Sequence, residues 1–304
     1  MDGESTQSRA GGRETGERAS RPEAVKAVET SGTSANHVLL DRQSGLDIAA
    51  FVVDGVDLAP GVAIPAGEEP RIARLLQGFL FTCGPDHIRL PEPRESGDGN
   101  YPLHGSLPGT QVVATSIETG PDGPVCHAQT VVSLADGGQA TVARRIYTAI
   151  DGYVTIEDRL TNTGTTPFSP MWMYHLNLGA WLFDDETWIE APVFGEGALF
   201  WRFGDGERAH LCLDTRPTLA DTGLVTVTLG PLAMLGGRTL SIRFPAACLP
   251  WLQFWRSERN GGNVFSIEPA SHRLASRAEL AENGELVSLA PGESRSFGIA
   301  FRMV

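Results

Sequence analysis

After Asn36 the chain breaks into short apolar runs separated by Gly, Pro, Asn and Asp, the pattern of many strands joined by turns. Between Tyr153 and Leu160, Val154, Ile156 and Leu160 point one way while Thr155, Glu157 and Arg159 point the other, as a strand with one wetted face requires. Asp158 breaks this rule, a carboxylate on the apolar side. The same period of two sets Leu240, Ile242 and Phe244 against Ser241 and Arg243, and Phe297, Ile299, Phe301 and Met303 against Ser296, Gly298, Ala300 and Arg302. Further strands are predicted at 46–53, 111–118, 125–134, 139–150, 210–214, 224–229, 251–256 and 264–268. Helical spacing occurs in 69–77, through Ile72, Leu75 and Leu76, and the stretch is short. The pattern predicts an all-β chain of antiparallel sheets with few short helices.

Residues 1–36 are Gly, Ser, Thr, Glu and Arg with almost nothing large and apolar, so they are predicted to form a disordered tail ahead of one domain at 37–304. A chain of 304 residues that is 41% hydrophobic can bury one large core. The formal charge of -13 and a pI near 5.0 oppose a nucleic-acid partner, which needs a concentrated basic face. Cys83, Cys126, Cys212 and Cys248 form no Cys-x-x-Cys pair, so neither a zinc knuckle nor a compact disulfide framework is expected; free thiols suit a reducing cytoplasm. No apolar run is long enough for a bilayer and no signal-peptide core precedes the domain, so the expected location is cytoplasmic, away from membranes. A phosphate loop, a Gly-x-Ser-x-Gly elbow, a His-Glu-x-x-His motif and internal repeats are all missing from the sequence.

Three polar residues sit in specific surroundings: His104 in Tyr-Pro-Leu-His-Gly, His175 in Met-Trp-Met-Tyr-His-Leu-Asn-Leu-Gly, and Glu268 in Val-Phe-Ser-Ile-Glu-Pro-Ala-Ser. A carboxylate embedded in an apolar strand is costly to desolvate, so its proton affinity rises toward neutral pH, which suits proton-transfer chemistry. The plainer reading is that each is a satisfied polar group at a sheet margin. Gly and Pro flank all three, which favours a shared cleft. The acidic run Asp184-Asp185-Glu186 is read as a solvated loop rather than a cation site, because adjacent carboxylates on a strand alternate in direction.

The run Phe79 to His87, then Tyr101-Pro102-Leu103-His104-Gly105, Tyr174 to Gly179 and Ile267-Glu268-Pro269-Ala270, preceded by Gly45-Leu46-Asp47-Ile48, resembles the DUF4432 branch of the aldose 1-epimerase (galactose mutarotase-like) proteins. That resemblance implies a large antiparallel β-supersandwich with a sugar cleft on one face. It also implies Glu268 as general base, His175 as general acid and His104 as a helper that holds the sugar, with no cofactor. On this reading Glu268 starts ionised and His175 protonated, and the substrate is a small-molecule carbohydrate. Sugar contacts are expected from Arg74, Asp86, His87, Asn177 and Trp255, with Trp172 and Tyr174 as further aromatic candidates. The run Asp86-His87-Ile88-Arg89 is more charged than a plain hexose pocket calls for.

Two other functions use the same residues. His104, His175 and Glu268 make a two-histidine, one-carboxylate ligand set for a metal-dependent lyase or isomerase acting on a keto sugar. A non-catalytic carbohydrate-binding protein on the same scaffold is the third reading, since fold alone does not fix function. The exposed edges of a large sandwich point to a homodimer.

Overall fold

In chain order the strands are β1 (Val25–Glu29), β2 (His37–Asp41), β3 (Asp47–Val53), β4 (Val56–Asp57), β5 (Leu80–Cys83), β6 (Glu92–Pro93), β7 (Asn100–Tyr101), β8 (Ala114–Gly120), β9 (Gly123–Ser133), β10 (Gln139–Thr148), β11 (Val154–Asn162), β12 (Met173–Gly179), β13 (Trp188–Glu190), β14 (Arg208–Asp214), β15 (Leu224–Leu232), β16 (Arg238–Pro245), β17 (Trp251–Ser257), β18 (Val264–Ala270) and β19 (Ser294–Met303). Two short α-helices join them among the described residues, α1 (Pro70–Leu75) and α2 (Arg277–Glu282). The structure is a computed structural model that describes residues 25–29, 36–61, 69–120, 123–199, 208–257 and 264–304. A nine-stranded sheet runs β1-β2-β3-β5-β12-β18-β17-β14, with β4 on β3. An eight-stranded sheet runs β13-β15-β16-β19-β11-β10-β9-β8. Among the described residues every strand pairing is antiparallel, as the two-residue alternation predicts.

The two sheets face each other across the main core. Leu176, Leu178, Phe254, Phe265 and Ile267 from the nine-stranded sheet meet Val142, Ile146, Ile156, Leu160, Ile299 and Phe301 from the other. Phe51, Phe79 and Phe301 close a triangle with ring centroids 5.0–5.2 Å apart. Each such side chain contributes roughly 1.5–3 kcal/mol on burial.

Asp158 is explained inside this core. It faces Arg144 directly across the β10–β11 ladder, and Arg144 Nε and Nη2 donate to its two oxygens at 2.8 Å. Arg144 Nη1 also donates to Asp47 at 2.7 Å and Nη2 to Thr82 at 2.6 Å. The Tyr174 hydroxyl donates to Asp158 at 2.7 Å. This buried network bridges the sandwich from β10 and β11 to β3, β5 and β12.

One expectation is corrected at the N-terminus. Val25–Glu29, within the segment read as a disordered tail, forms β1 and pairs with β2, Val25 opposite Leu40. The open edge of β2 offers backbone partners, which composition alone does not reveal. Residues 1–24 and 30–35 lie outside the described residues.

A second apolar cluster lies on the outer face of the nine-stranded sheet. Ile72 and Leu75 of α1, Ile88, Leu103, Ala275 and Leu280 cover Phe81, Cys83, Met173, Trp251 and Trp255. All residues of β12 and β18 are therefore buried, on both faces. Helix α2 was outside the sequence expectation, yet Ser276 and Glu279 form its N-terminal signature, with Glu279 N–H donating to Ser276 Oγ. All four cysteines are free. Among the described residues no helix is long and apolar enough to cross a membrane.

Candidate active site on the outer sheet face

Alternation on β12 sends Tyr174, Leu176 and Leu178 into the main core, so Met173, His175 and Asn177 face outward. On β18, Phe265 and Ile267 go inward and Ser266, Glu268 and Ala270 outward. The register pairing Met173 with Ala270 and Leu176 with Ile267 sets His175 opposite Glu268. His175 also pairs with Phe81, Glu268 with Gln253, and Gln253 with Cys212. One rank of outward side chains thus crosses five strands: Phe81, His175, Glu268, Gln253, Cys212. The next rank is Asn177, Ser266, Trp255, His210.

His175 Nε2 lies 3.2 Å from Glu268 Oε1, with both side chains 3% exposed; the angles leave Oε1 without a formed hydrogen bond. Glu268 Oε2 is 3.9 Å from His210 Nε2. The Phe81 ring stacks on His175 at 4.5 Å. His104 and Trp255 stand edge-on to it, with centroids 5.3 Å and 5.8 Å away.

Two amides decide where the imidazole protons sit. Asn177 Nδ2 donates to the Gly78 carbonyl at 3.0 Å, so its Oδ1 must face His175. That oxygen accepts from Ser266 Oγ at 3.0 Å and from His175 Nδ1 at 2.7 Å. Neutral His175 therefore carries its hydrogen on Nδ1 and turns the Nε2 lone pair toward Glu268. On the other side Gln253 Nε2 donates to the His272 carbonyl at 3.2 Å, so its Oε1 accepts from His210 Nε2 at 3.0 Å.

Burial sets the proton inventory. It pushes the Glu268 carboxyl up to about 8 from its usual 4.5 and holds His175 well below 6.5, with His104 adding to the effect. Desolvation also lowers His104 and His210. At neutral pH the resting pair is thus an uncharged carboxylic acid beside a neutral imidazole. The expected arrangement has the opposite distribution, an ionised Glu268 and a protonated His175, and burial opposes both of those charges.

His104 comes from the segment after β7 and has a positive φ of 60°. Gly105 follows at φ 84°, where a Cβ would collide with the carbonyl oxygens of His87 and Gly84. Arg71 of α1 clasps the segment by donating to the carbonyls of Leu103, Gly105 and Pro108 at 2.7–3.0 Å.

The structure brings together Glu268, His175, His104, Asn177 and Trp255 of the residues the sequence singles out. Asn177 is fully buried and orients His175. Arg74, Asp86 and His87 are engaged elsewhere. Arg74 bridges to Asp41 on β2 at 2.5 Å. The Asp86 carboxylate accepts from Ser106 N, Ser106 Oγ and Ala135 N at 2.5–2.9 Å. His87 is buried, bonded to Leu90 O at 2.6 Å and stacked on Tyr101. Trp172 and Tyr174 point into the main core, Trp172 stacked on Phe297 at 4.8 Å. His210 and Gln253 are additions. The polar parity of His210, Cys212 and Asp214 on β14 is the sequence signal for the first.

His104, His175 and Glu268 do not form a metal-ligand set. His104 Nδ1 is bonded to Ile88 O at 3.2 Å, and among the described residues no three His, Cys, Asp or Glu side chains are grouped to hold an ion. Asp184 Oδ1 accepts from Glu186 N and Thr187 Oγ1, closing its loop on itself.

The sequence matches the family described as Domain of unknown function (DUF4432) over residues 22–196 and 213–303. No curated protein sequence matches. Among solved structures, a provisionally assigned aldose 1-epimerase from Klebsiella pneumoniae is 17% identical, with 88% of this chain and 76% of that chain covered and a TM-score of 0.71. A galactose mutarotase related enzyme from Lactobacillus acidophilus is 10% identical, with 92% and 97% covered and a TM-score of 0.62. A galactose mutarotase-like protein from Clostridium acetobutylicum is also 10% identical, with 88% and 92% covered and a TM-score of 0.60. At these identities the shared property is the fold.

Proposed function

The chain belongs to the DUF4432 family and has the galactose mutarotase-like fold, and from that premise we propose that its outer-face site interconverts the anomers of a free sugar by acid–base ring opening. The observation that carries this reading is the buried pair His175 and Glu268, with Nε2 and Oε1 3.2 Å apart. The two oxygens of a hemiacetal carbon are geminal, so a donor and an acceptor this close can address both from one side.

In the resting arrangement His175 Nε2 accepts the proton of the hydroxyl on C1 while Glu268 gives its proton to the ring oxygen. The bond between C1 and the ring oxygen breaks, leaving an aldehyde and a hydroxyl. After rotation about C1–C2 the ring closes on the opposite face. Glu268, now a carboxylate, recovers its proton from that hydroxyl, and His175 returns the other to the new anomeric oxygen. The resemblance assigns the reverse roles, Glu268 as base and His175 as acid; the two descriptions differ in which partner starts with the proton and in which of the two oxygens each residue faces. Positioned proton transfer of this kind is worth on the order of 10²–10⁴-fold. His104 and Trp255 border the imidazole and are suited to holding the sugar, an edge-on ring and a flat apolar face against C–H groups.

Saturation-transfer NMR between the two anomeric protons, over a panel of free aldoses, tests the reading. Exchange above the spontaneous rate is expected for the wild type, falling by on the order of 10²-fold or more in Glu268→Gln and His175→Asn with unchanged melting cooperativity. The rate should hold across neutral pH and fall above about 8, where Glu268 loses the shared proton. Sugar binding without accelerated exchange would instead leave a non-catalytic carbohydrate-binding protein.

A further inference from the structure

The ends of the two large sheets are protected unequally. A strand at a sheet end presents unpaired N–H and C=O groups, and such strands are usually short, bulged, charged or covered. β13 is three residues long and bridged by Leu199. β1 has a register shift between Ala27 and Glu29. β14 carries His210 and ends at Asp214, which pairs with Arg216. β8 has none of these protections. It runs for seven residues, Ala-Thr-Ser-Ile-Glu-Thr-Gly, without Lys or Pro and in unbroken register with β9. No strand pairs with its other side among the described residues.

The apolar side of β8 is also uncovered. Ile117 lies opposite Cys126 and Thr115 opposite Ala128, so both occupy the face that β9 turns to the main core, where Cys126 and Ala128 are buried. Ile117 is nevertheless 59% exposed, and Val113, which leads into the strand, is 61% exposed. The facing sheet reaches β9 through β1, and the inner face of β8 is left to solvent.

We propose that β8 pairs with β8 of a second copy of this chain, antiparallel about a two-fold axis at Ile117, so that two eight-stranded sheets join into one. The sequence of the strand is its own complement in this register. Ile117 meets Ile117 on the uncovered apolar face, with Thr115 opposite Thr119 on either side of it. Cross-strand pairs of β-branched residues of this kind are favourable. On the other face Ser116 meets Glu118, so the one charged side chain of the strand faces a hydroxyl and not its twin. Centring on Glu118 would set two carboxylates against each other, and centring on Ser116 would separate the two isoleucines and leave Thr119 and Gly120 unpaired. The arrangement closes on itself, with the same patch used by both copies. One strand a side buries less than the roughly 1,600 Å² of a standard interface, so a readily dissociating dimer is expected, with Kd on the order of micromolar.

Sedimentation equilibrium of the full chain from about 1 to about 200 µM spans the range in which such an interface associates. The wild type should follow a monomer–dimer equilibrium. Ile117→Lys, a change at an exposed position, should be monomeric throughout with unchanged melting cooperativity. Ser116→Glu sets a carboxylate against Glu118 of the other copy and should weaken the dimer, whereas Ser116→Lys should tighten it. Each shift in Kd should be about threefold or more, because the pair occurs twice. On oxidation Ile117→Cys should link to itself and Ser116→Cys should not, since directly opposite residues hold their Cβ atoms about 5 Å apart and offset ones about 7–8 Å. A wild type that is monomeric at every concentration, or that forms open-ended oligomers, would overturn the proposal. So would a dimer indifferent to Ile117→Lys, Ser116 variants that shift Kd in the same direction, or a cross-link at 116 in place of 117.

Discussion

Asn177 does its work at one remove from any sugar. With its amide nitrogen committed to the Gly78 carbonyl, it permits one tautomer of His175, and the Nε2 lone pair is what meets Glu268. Asn177→Leu should release the ring and leave Nδ1 unsatisfied, at a cost of about 1–3 kcal/mol in stability, with the tautomer change visible in long-range ¹⁵N–¹H correlations of His175. Asn177→Asp should instead favour the imidazolium, moving the acid limb of the rate profile upward toward neutral pH.

Glu268→Gln carries a second, separable expectation. From the unfolded carboxyl's 4.5 up to about 8, the folded protein keeps a proton that the unfolded chain has released. Stability contributed by this site therefore falls as pH rises through that window. The glutamine variant should be more stable than the wild type at pH 8, on the order of a few kcal/mol, and should show little gain at pH 5. Urea denaturation at the two pH values decides it, and a gain independent of pH would refute the buried proton. Residue type in context made His175 and Glu268 legible in the sequence. Parity was legible too: Tyr174 on β12 and Trp172 just ahead of it are odd numbers of positions from His175, so both turn to the opposite face. Aromatic character alone pointed the wrong way there.

Among the elements, β10, β11 and β12 hold the site from behind. The Arg144 guanidinium joins Asp158 and Asp47 across the main core, and Tyr174, adjacent to His175, is bonded into the same network. Removing one partner leaves an uncompensated buried charge, so Asp158→Ala should destabilise by about 3–5 kcal/mol, read from the shift in denaturation midpoint at constant slope. The strands themselves were readable because alternation is imposed by burial: 139–150 and 153–160 appear as β10 and β11 within two residues at each end. Arg144 and Asp158 were each exceptions to that alternation, and their pairing depends on register, which one strand's pattern does not contain. His210 was harder to see for another reason. It falls in 197–212, between the two segments that match the family, and its partner strand β17 follows about forty residues later.

At the scale of the molecule, protection should rank with position in the sheets. Every residue of β12 and β18 is buried, whereas β8 lies at an edge with six exposed residues and one intermediate. Amide hydrogens of the central pair should exchange more slowly than those of β8 by on the order of 10²-fold or more, and equal rates in native-state exchange would contradict the layered description. The overall architecture was legible because a two-residue period with scarce helix signals admits few alternatives. The covering of the outer face was not, since the 84–110 segment has no period and is ordered by distant arginines.

Those arginines leave a mark on what the protein can become. Arg71 grips the oxygens of Leu103, Gly105 and Pro108, and Arg277 donates to that of Asp86 at 2.6 Å. A clasp on main-chain oxygens is indifferent to most of the letters written between its jaws. Point changes between the clasped oxygens can therefore be accepted while His175 and Glu268, rooted in the strands beneath, keep their places.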